Sequence, residues 1–209
     1  MSVLEAGPRA PAPPRLRSDR GRVLPLHVDR WFGDPSAAER DVLGLALAPV
    51  LDVGCGPARH TLALLEMGVP AVGVDVSRGA VSVARDRGAP VLHRSVFDRL
   101  PDEGRWGTAL LLDGNVGIGG SPVALLRRLR GALRGGGRVL VEVEGPGAPT
   151  ESMRVRIEDA PAPGTSGGRG WFPWATVGTD DLPAIAEGAG LRLVDRWTGD
   201  GRWFGRLDA

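Results

Sequence analysis

Lysine and tyrosine are missing from this 209-residue chain, and cysteine occurs once, at Cys55. A single cysteine excludes an internal disulfide, so a cytoplasmic protein is expected rather than a secreted disulfide scaffold. Neither sign of charge dominates: 26 basic residues, all arginine, stand against 25 acidic ones, for a net charge of +1. That balance gives no electrostatic reason to expect a nucleic-acid or membrane partner. The longest near-apolar run, VLGLALAPVLDVG, is broken by Gly and Pro and is too short to span a bilayer. The opening MSVLEAGPRAPAPPRLRSDRG has no apolar stretch of signal-peptide type. Arginine in place of lysine, with much Ala, Gly and Pro, reads as GC-rich coding and not as a functional signal. No metal-ligand set is assigned.

What is present is enough apolar residue for a core: 42% of the chain is hydrophobic. Residues 1–22 are rich in Pro, Arg and Ala without periodicity and predict a disordered head. It is read as a solvated tail or as a contact for RNA or an acidic partner. Residues 23–209 predict one domain, with an accessory segment at about 145–178. Trp31 to Leu47 has helical periodicity, with Asp34-Pro35 as its start.

Strand and helix patterns then alternate. PVLDVG, AVGVDV, PVLHRSVF, TALLLDG and GGGRVLVEVEG read as strands. Helices follow from Pro57 to Gly68, from the Ser77 cap to Gly88, and from Ser121-Pro122 with Leu125, Leu126, Leu129 and Leu133 on one side. Alternation of this kind predicts a parallel sheet covered on both faces. The tail departs from it. MRVRIED and WFPWATV predict an accessory hairpin, Thr179 to Gly190 a helix, and LRLVDRW-TGDG-RWFGRL an antiparallel hairpin.

The stretch VLDVGCGPARH holds the main signal. Gly54 and Gly56 let the backbone turn sharply after a strand, where ligands bind in doubly wound sheets. Asp75 ends the next strand, where a carboxylate can accept hydrogen bonds from ribose hydroxyls. A dinucleotide fits poorly: G-x-G-x-x-G needs glycine where this chain has Arg59. Asp52, two residues before the first glycine, suits a ligand carrying positive charge, such as the nucleoside S-adenosylmethionine.

VLDVGCGPARH followed by VGVDVS resembles the first two motifs of the class I S-adenosylmethionine-dependent methyltransferases, over about residues 48–145. The resemblance implies an α/β fold with a doubly wound, Rossmann-like, seven-stranded sheet, mostly parallel with the last strand antiparallel. It implies S-adenosylmethionine as cofactor, with Asp52, Gly54, Cys55 and Gly56 bordering its methionine part. It also implies Asp75 and Val76 at the ribose and Ser95-Val96 at the adenine, Asp98 being a substitute for Ser95. Ala58 stands where the family usually has a third glycine.

Asp113 and Asn115, in LLDGNVGIGG, are read as contacts to the cofactor amino group or the acceptor, or as turn chemistry. The stretch lacks the Asn/Asp-Pro-Pro-aromatic sequence of enzymes that methylate exocyclic amines of bases or glutamine. Cys55 lies in the bend, not where a cytosine carbon-5 nucleophile belongs, and is read as a packing residue. Glu144 is a candidate base, or an arginine partner like Glu142. His27 is the candidate imidazole base; His60 is read as a cofactor-carboxylate contact or a surface residue, and His93 as structural. Trp31, Trp171 and Trp174 are candidates for a hydrophobic acceptor pocket, while Trp197 and Trp203 are read as core.

The reading is methyl transfer to a small-molecule acceptor by in-line displacement. A non-catalytic cofactor-binding protein is the alternative, to which Ala58 is open. A nicotinamide-dependent oxidoreductase is disfavoured by Asp52 and Arg59.

Overall fold

The structure is a computed structural model that describes residues 14–158 and 170–209. Part of the expected head is ordered: β1 (Arg15–Ser18) and β2 (Val23–Pro25) form an antiparallel pair. Residues 1–13 of that head lie outside the described residues. The reason for the order is a partner far away in sequence. β1 also pairs with β8 (Glu151–Glu158), and Leu16 is buried with Met153 and Val155. Arg17 Nε donates to Glu158 at 2.7 Å. Nothing in Arg-Leu-Arg-Ser by itself announces this pairing.

Two helices replace the single one expected over 31–47: α1 (Val28–Phe32) and α2 (Ala37–Gly44). The second starts at Ser36, not at Asp34-Pro35, because Ser36 and Glu39 make a reciprocal capping box that satisfies two orphan amides.

Five parallel strands follow: β3 (Val50–Val53), β4 (Ala71–Asp75), β5 (Val91–His93), β6 (Trp106–Leu111) and β7 (Leu133–Val143). β5 is shorter than PVLHRSVF suggests. Ser95 Oγ accepts the Phe97 amide, and the Asp98 carboxylate accepts the Ser95 amide, so the chain leaves the sheet in a turn. The crossover helices are α3 (Arg59–Glu66), α4 (Arg78–Asp86) and α5 (Pro122–Ala132), the last entered through a 3₁₀ segment, Asn115–Gly120. After β8 and β9 (Phe172–Thr176) come α6 (Leu182–Gly188), β10 (Arg192–Gly199) and β11 (Arg202–Asp208). β11 inserts antiparallel between β7 and β10, which gives the order β10-β11-β7-β6-β3-β4-β5. This is the seven-stranded, doubly wound α/β sheet the sequence implies.

Strand periodicity decides which residue meets which helix layer. Leu51, Val53, Ala109, Leu111, Val139 and Val141 face α5 and α6, packing on Leu125, Leu129 and Leu182. The alternate residues Val50, Leu110 and Leu140 face α2 and α3, packing on Val42, Leu43 and Leu64. Trp197 packs beside Phe204 on that second face, and Trp203 packs against the first; both are partly buried at the margin of the core rather than inside it.

The chain runs β3-β4-β5 toward one edge of the sheet, then returns to lay β6 on the other side of β3. The crevice at that switch lies beyond the carboxyl ends of β3 and β6. The accessory sheet, β2-β1-β8-β9, stands over it. Gly117, in the 3₁₀ segment, packs directly against β9, since a Cβ there would overlap the Ala175 carbonyl oxygen. Gly117→Ala is therefore expected to destabilise the protein by about 1–3 kcal/mol through overpacking, measurable by urea unfolding. An unchanged midpoint would mean that β9 gives way freely.

Candidate active site

β3 ends at Val53, and the chain turns back through Gly54, Cys55 and Gly56. Both glycines are left-handed, with φ 69° and 53°. A Cβ at Gly54 would sit 2.9 Å from the Asn115 amide group, whereas nothing lies within 4 Å of one at Gly56. The bend is thus closed on one side and open on the other. Asn115 Nδ2 donates to the carbonyls of Val53 and Gly54 at 2.9 and 3.0 Å, which fixes the turn. Ala58, at the position of the missing third glycine, is also left-handed, at φ 68°, and is fully buried.

Asp75 faces the same bend from the end of β4. Its Oδ2 accepts the Gly56 amide at 2.9 Å and its Oδ1 the Ser77 amide at 2.7 Å. Burial raises its pKa against the pull of these hydrogen bonds. A carboxylate offers about four lone-pair positions, so acceptor capacity remains beyond these two bonds.

Asp52 behaves differently from the expectation. It is 2% exposed, is not part of the cavity wall, and accepts a hydrogen bond from Thr61 Oγ1 at 2.7 Å. It braces α3 against β3 from behind the cavity wall. Strand alternation explains this: Val53, not Asp52, points to the cavity side. Burial raises the Asp52 pKa. The folded chain therefore holds this proton more tightly than the unfolded chain, and the group's contribution to stability falls as pH rises above the ordinary aspartate value. Asp52→Asn is expected to gain stability relative to the parent between about pH 4 and pH 7. Melting curves at the two pH values check this; a variant that loses ground toward pH 7 contradicts it.

Cys55 touches the cavity, but its thiol packs against Gly73, where a Cβ would lie 2.5 Å from Sγ. Burial, with Asp52 and Asp75 nearby, pushes the thiol pKa up, so it is a packing residue and not a nucleophile.

Behind the bend lies a cluster of charges that the sequence reading missed. Arg59, 5% exposed, forks onto both Glu39 oxygens at 2.6 and 2.8 Å and onto both Asp113 oxygens at 2.8 Å. Arg202, from β11, binds Glu142, Glu39 and Asp113. His60, buried, stands 3.4 Å from Glu39 Oε1. Burial opposes the charge on Glu39, but hydrogen bonds from His60, Arg59, Arg202 and the Ser36 amide hold its carboxyl well below the usual range. Arg202 stays charged for the reciprocal reason. These residues are scattered over 163 positions of sequence, from Glu39 to Arg202, and only the sheet order unites them.

The cavity above the bend has a volume of about 570 Å³, within the usual range for small-molecule sites. Gly54, Gly56, Asp75, Val76, Ser95 and Val96 line it on the side of β3, β4 and β5, and Asp113 and Asn115 line it beyond β6. Asp98 stays outside and caps its turn. The opposite wall comes from the accessory sheet and α1: Leu16, Leu26, Trp31, Phe172 and Trp174. Phe32, Val76 and Phe97 line the cavity yet remain 46, 68 and 45% exposed, apolar surface that a ligand can cover.

Besides Asp52 and Asp98, three further sequence candidates are not brought here. His27 is exposed at the start of α1, outside the cavity wall. Glu144 is exposed past the end of β7; Glu142, within the strand, is the residue paired to an arginine. Trp171 lies outside the wall, stacked under Arg156 at 5.2 Å. His93 is exposed, beside the Val76 carbonyl.

Residues 50–137 match the family model described as a methyltransferase domain. That match marks residues 50–137 as a methyltransferase domain, a kind that uses S-adenosylmethionine as cofactor, and the fold around it is the Rossmann-like one of such enzymes. Among solved structures, it is similar to a SAM-dependent methyltransferase from Bacteroides fragilis in complex with S-adenosyl-L-homocysteine. The two share 24% identity over 94% of this chain and 87% of that one, with a TM-score of 0.72. It is also similar to the Burkholderia thailandensis 1,6-didemethyltoxoflavin-N1-methyltransferase, at 19% identity over 88% and 83% of the two chains, TM-score 0.61. A glycopeptide N-methyltransferase is 14% identical over 85% and 90%, TM-score 0.63.

The residues present fit that cofactor. Gly56 leaves open space beside a carboxylate with spare acceptor capacity, as a ribose diol requires. The exposed face of Val76 and the turn at Ser95 offer a flat apolar slot, as an adenine requires.

Proposed function

We propose that the protein methylates a small-molecule acceptor bound between the glycine bend and the accessory sheet. The observation that carries the reading is one continuous cavity with two unlike ends: a polar cradle at β3 and β4, and an aromatic wall made by α1 and β9. In this reading, Asp75 holds the ribose, and Val76, Ser95 and Val96 flank the adenine. The amides of the 54–56 bend and the Asp113 side take the methionine end. Trp31 and Trp174 hold the acceptor. Bound there, the cofactor supplies an electrophilic methyl on a sulfonium.

The chain's own residues then align and exclude water. The wall of Trp31, Phe172 and Trp174 keeps the reacting end dry, and near-attack placement contributes about 7–11 kcal/mol to such reactions. Asn115 keeps the bend in shape through its two carbonyl contacts. The relatives support a small acceptor in kind: one is crystallised with 1,6-didemethyltoxoflavin, although another acts on a glycopeptide.

A thermal-shift titration tests the reading. S-adenosylhomocysteine at a hundred times its Kd is expected to stabilise by about 2.7 kcal/mol, a rise of roughly 5–10 °C for a domain this size. NADH is expected to leave the midpoint unmoved. Stabilisation by NADH alone would return the oxidoreductase reading. Stabilisation by S-adenosylhomocysteine without methyl transfer to any compound of a broad acceptor panel would favour the non-catalytic one.

A further inference from the structure

We propose that the acceptor is a planar, apolar amine, attacking through a neutral nitrogen lone pair. The proposal rests on the methyltransferase reading above and adds the chemistry of what is methylated.

The first argument is that, among the described residues, none on the wall is placed to act as a base on the acceptor. Among the described residues, the titratable groups on the cavity wall are Cys55, Arg59, Asp75, Arg94 and Asp113. Asp113 has both oxygens engaged by Arg59 at 2.8 Å, and Oδ1 is shared with Arg202 at 3.2 Å. Asp75 accepts the amides of Gly56 and Ser77, and its spare acceptor positions hold the ribose in the reading above. The Cys55 thiol is packed on Gly73 and kept protonated by burial. Guanidiniums accept no proton. A hydroxyl acceptor loses its proton as its oxygen is alkylated and gains from a base within reach. An uncharged amine presents its lone pair without that help.

The second argument is charge. Behind Asp113, three carboxylates (Glu39, Asp113 and Glu142) meet two guanidiniums (Arg59 and Arg202), so the carboxylates outnumber the guanidiniums by one. Asp113 is the carboxylate of the cluster that reaches the cavity. A phenolate, thiolate or carboxylate acceptor would enter against that charge. The remaining wall cation, Arg94, is exposed, with its guanidinium on the Arg99 carbonyl at 2.6 Å.

For an amine the balance closes inside the cavity. The nitrogen lone pair forms the new N–C bond while the S–C bond breaks, and that bond's electron pair stays on sulfur. The positive charge passes from sulfonium to ammonium, and a proton leaves the nitrogen for water afterwards. The extra carboxylate thus matches a positive charge before and after transfer. The chain has six Trp and four Phe, and four of these ten, Trp31, Phe32, Phe172 and Trp174, stand on the acceptor wall. Their faces suit a planar body and a cationic product alike.

Calorimetry on the full chain tests this. S-adenosylhomocysteine is titrated first; no heat there removes the methyltransferase reading itself. The saturated complex is then titrated with three probes of one shape: 1-naphthyltrimethylammonium as the product-like cation, 1-naphthol, and 1-naphthoate. The cation is expected to bind at least about ten-fold more tightly than the anion, with the naphthol between them. A flat or reversed order overturns the amine proposal and leaves the cofactor reading standing. So does a cation that fails to bind at about millimolar concentration.

Discussion

Arg59→Met is expected to destabilise the protein by about 3–5 kcal/mol, a fall in melting temperature of roughly 6–20 °C. The substitution keeps an apolar stem of similar reach and removes the fork that joins Glu39 to Asp113. Three carboxylates, Glu39, Asp113 and Glu142, then share the single remaining guanidinium of Arg202, and Glu39 is 1% exposed. The loss comes mainly from stranded buried charge, not from a favourable pair being deleted. Adding Glu39→Gln to Arg59→Met is therefore expected to recover part of the stability. Because the cluster is buried, added salt does little to rescue the single variant. Denaturant unfolding of parent, single and double variants checks the set. A single-variant loss below about 1 kcal/mol would mean that the cluster behaves like a solvated surface network.

Asp75→Ala is expected to weaken S-adenosylhomocysteine binding by about 100-fold or more. Hydrogen bonds to a charged group contribute about 1.5–3 kcal/mol each, and a ribose diol can make two. The same carboxylate also holds the Gly56 amide, so alanine loosens the bend as well. Asp75→Asn keeps the size and one acceptor oxygen, and its expected loss is smaller. Calorimetric titration of the three proteins, with melting curves to confirm folding, checks the order. Equal affinity for all three would remove Asp75 from the cofactor site.

The fold was legible because its signals are local. Strands such as β3 and β4 are short apolar runs closed by Gly or Asp, and helices α4 and α5 each carry a serine cap and one apolar face. The bend was legible for the same reason: Gly54, Gly56 and Asp75 lie within two consecutive strand ends. What the residues do in three dimensions was less legible. Asp52 sits two positions before the first glycine, as a ligand carboxylate would, but strand alternation aims it at Thr61. Arg59 stood out only as a missing glycine; its role depends on Glu39 and Arg202, which pattern reasoning cannot pair across the chain. Strand β1 carries four residues of ordinary tail composition and becomes ordered only because β8 offers it a partner. His27 and Glu144 were chosen for chemistry near strand ends and helix starts, and a turn of a few residues was enough to carry both away from the cavity.

A crystal structure of the protein with S-adenosylhomocysteine bears most directly on the central claim. The account predicts the ribose hydroxyls at about 2.6–3.0 Å from the Asp75 carboxylate, the adenine against Val76, and the sulfur facing Trp31 and Trp174. A nucleoside bound elsewhere on the chain, or seated with its sugar away from Asp75, contradicts it.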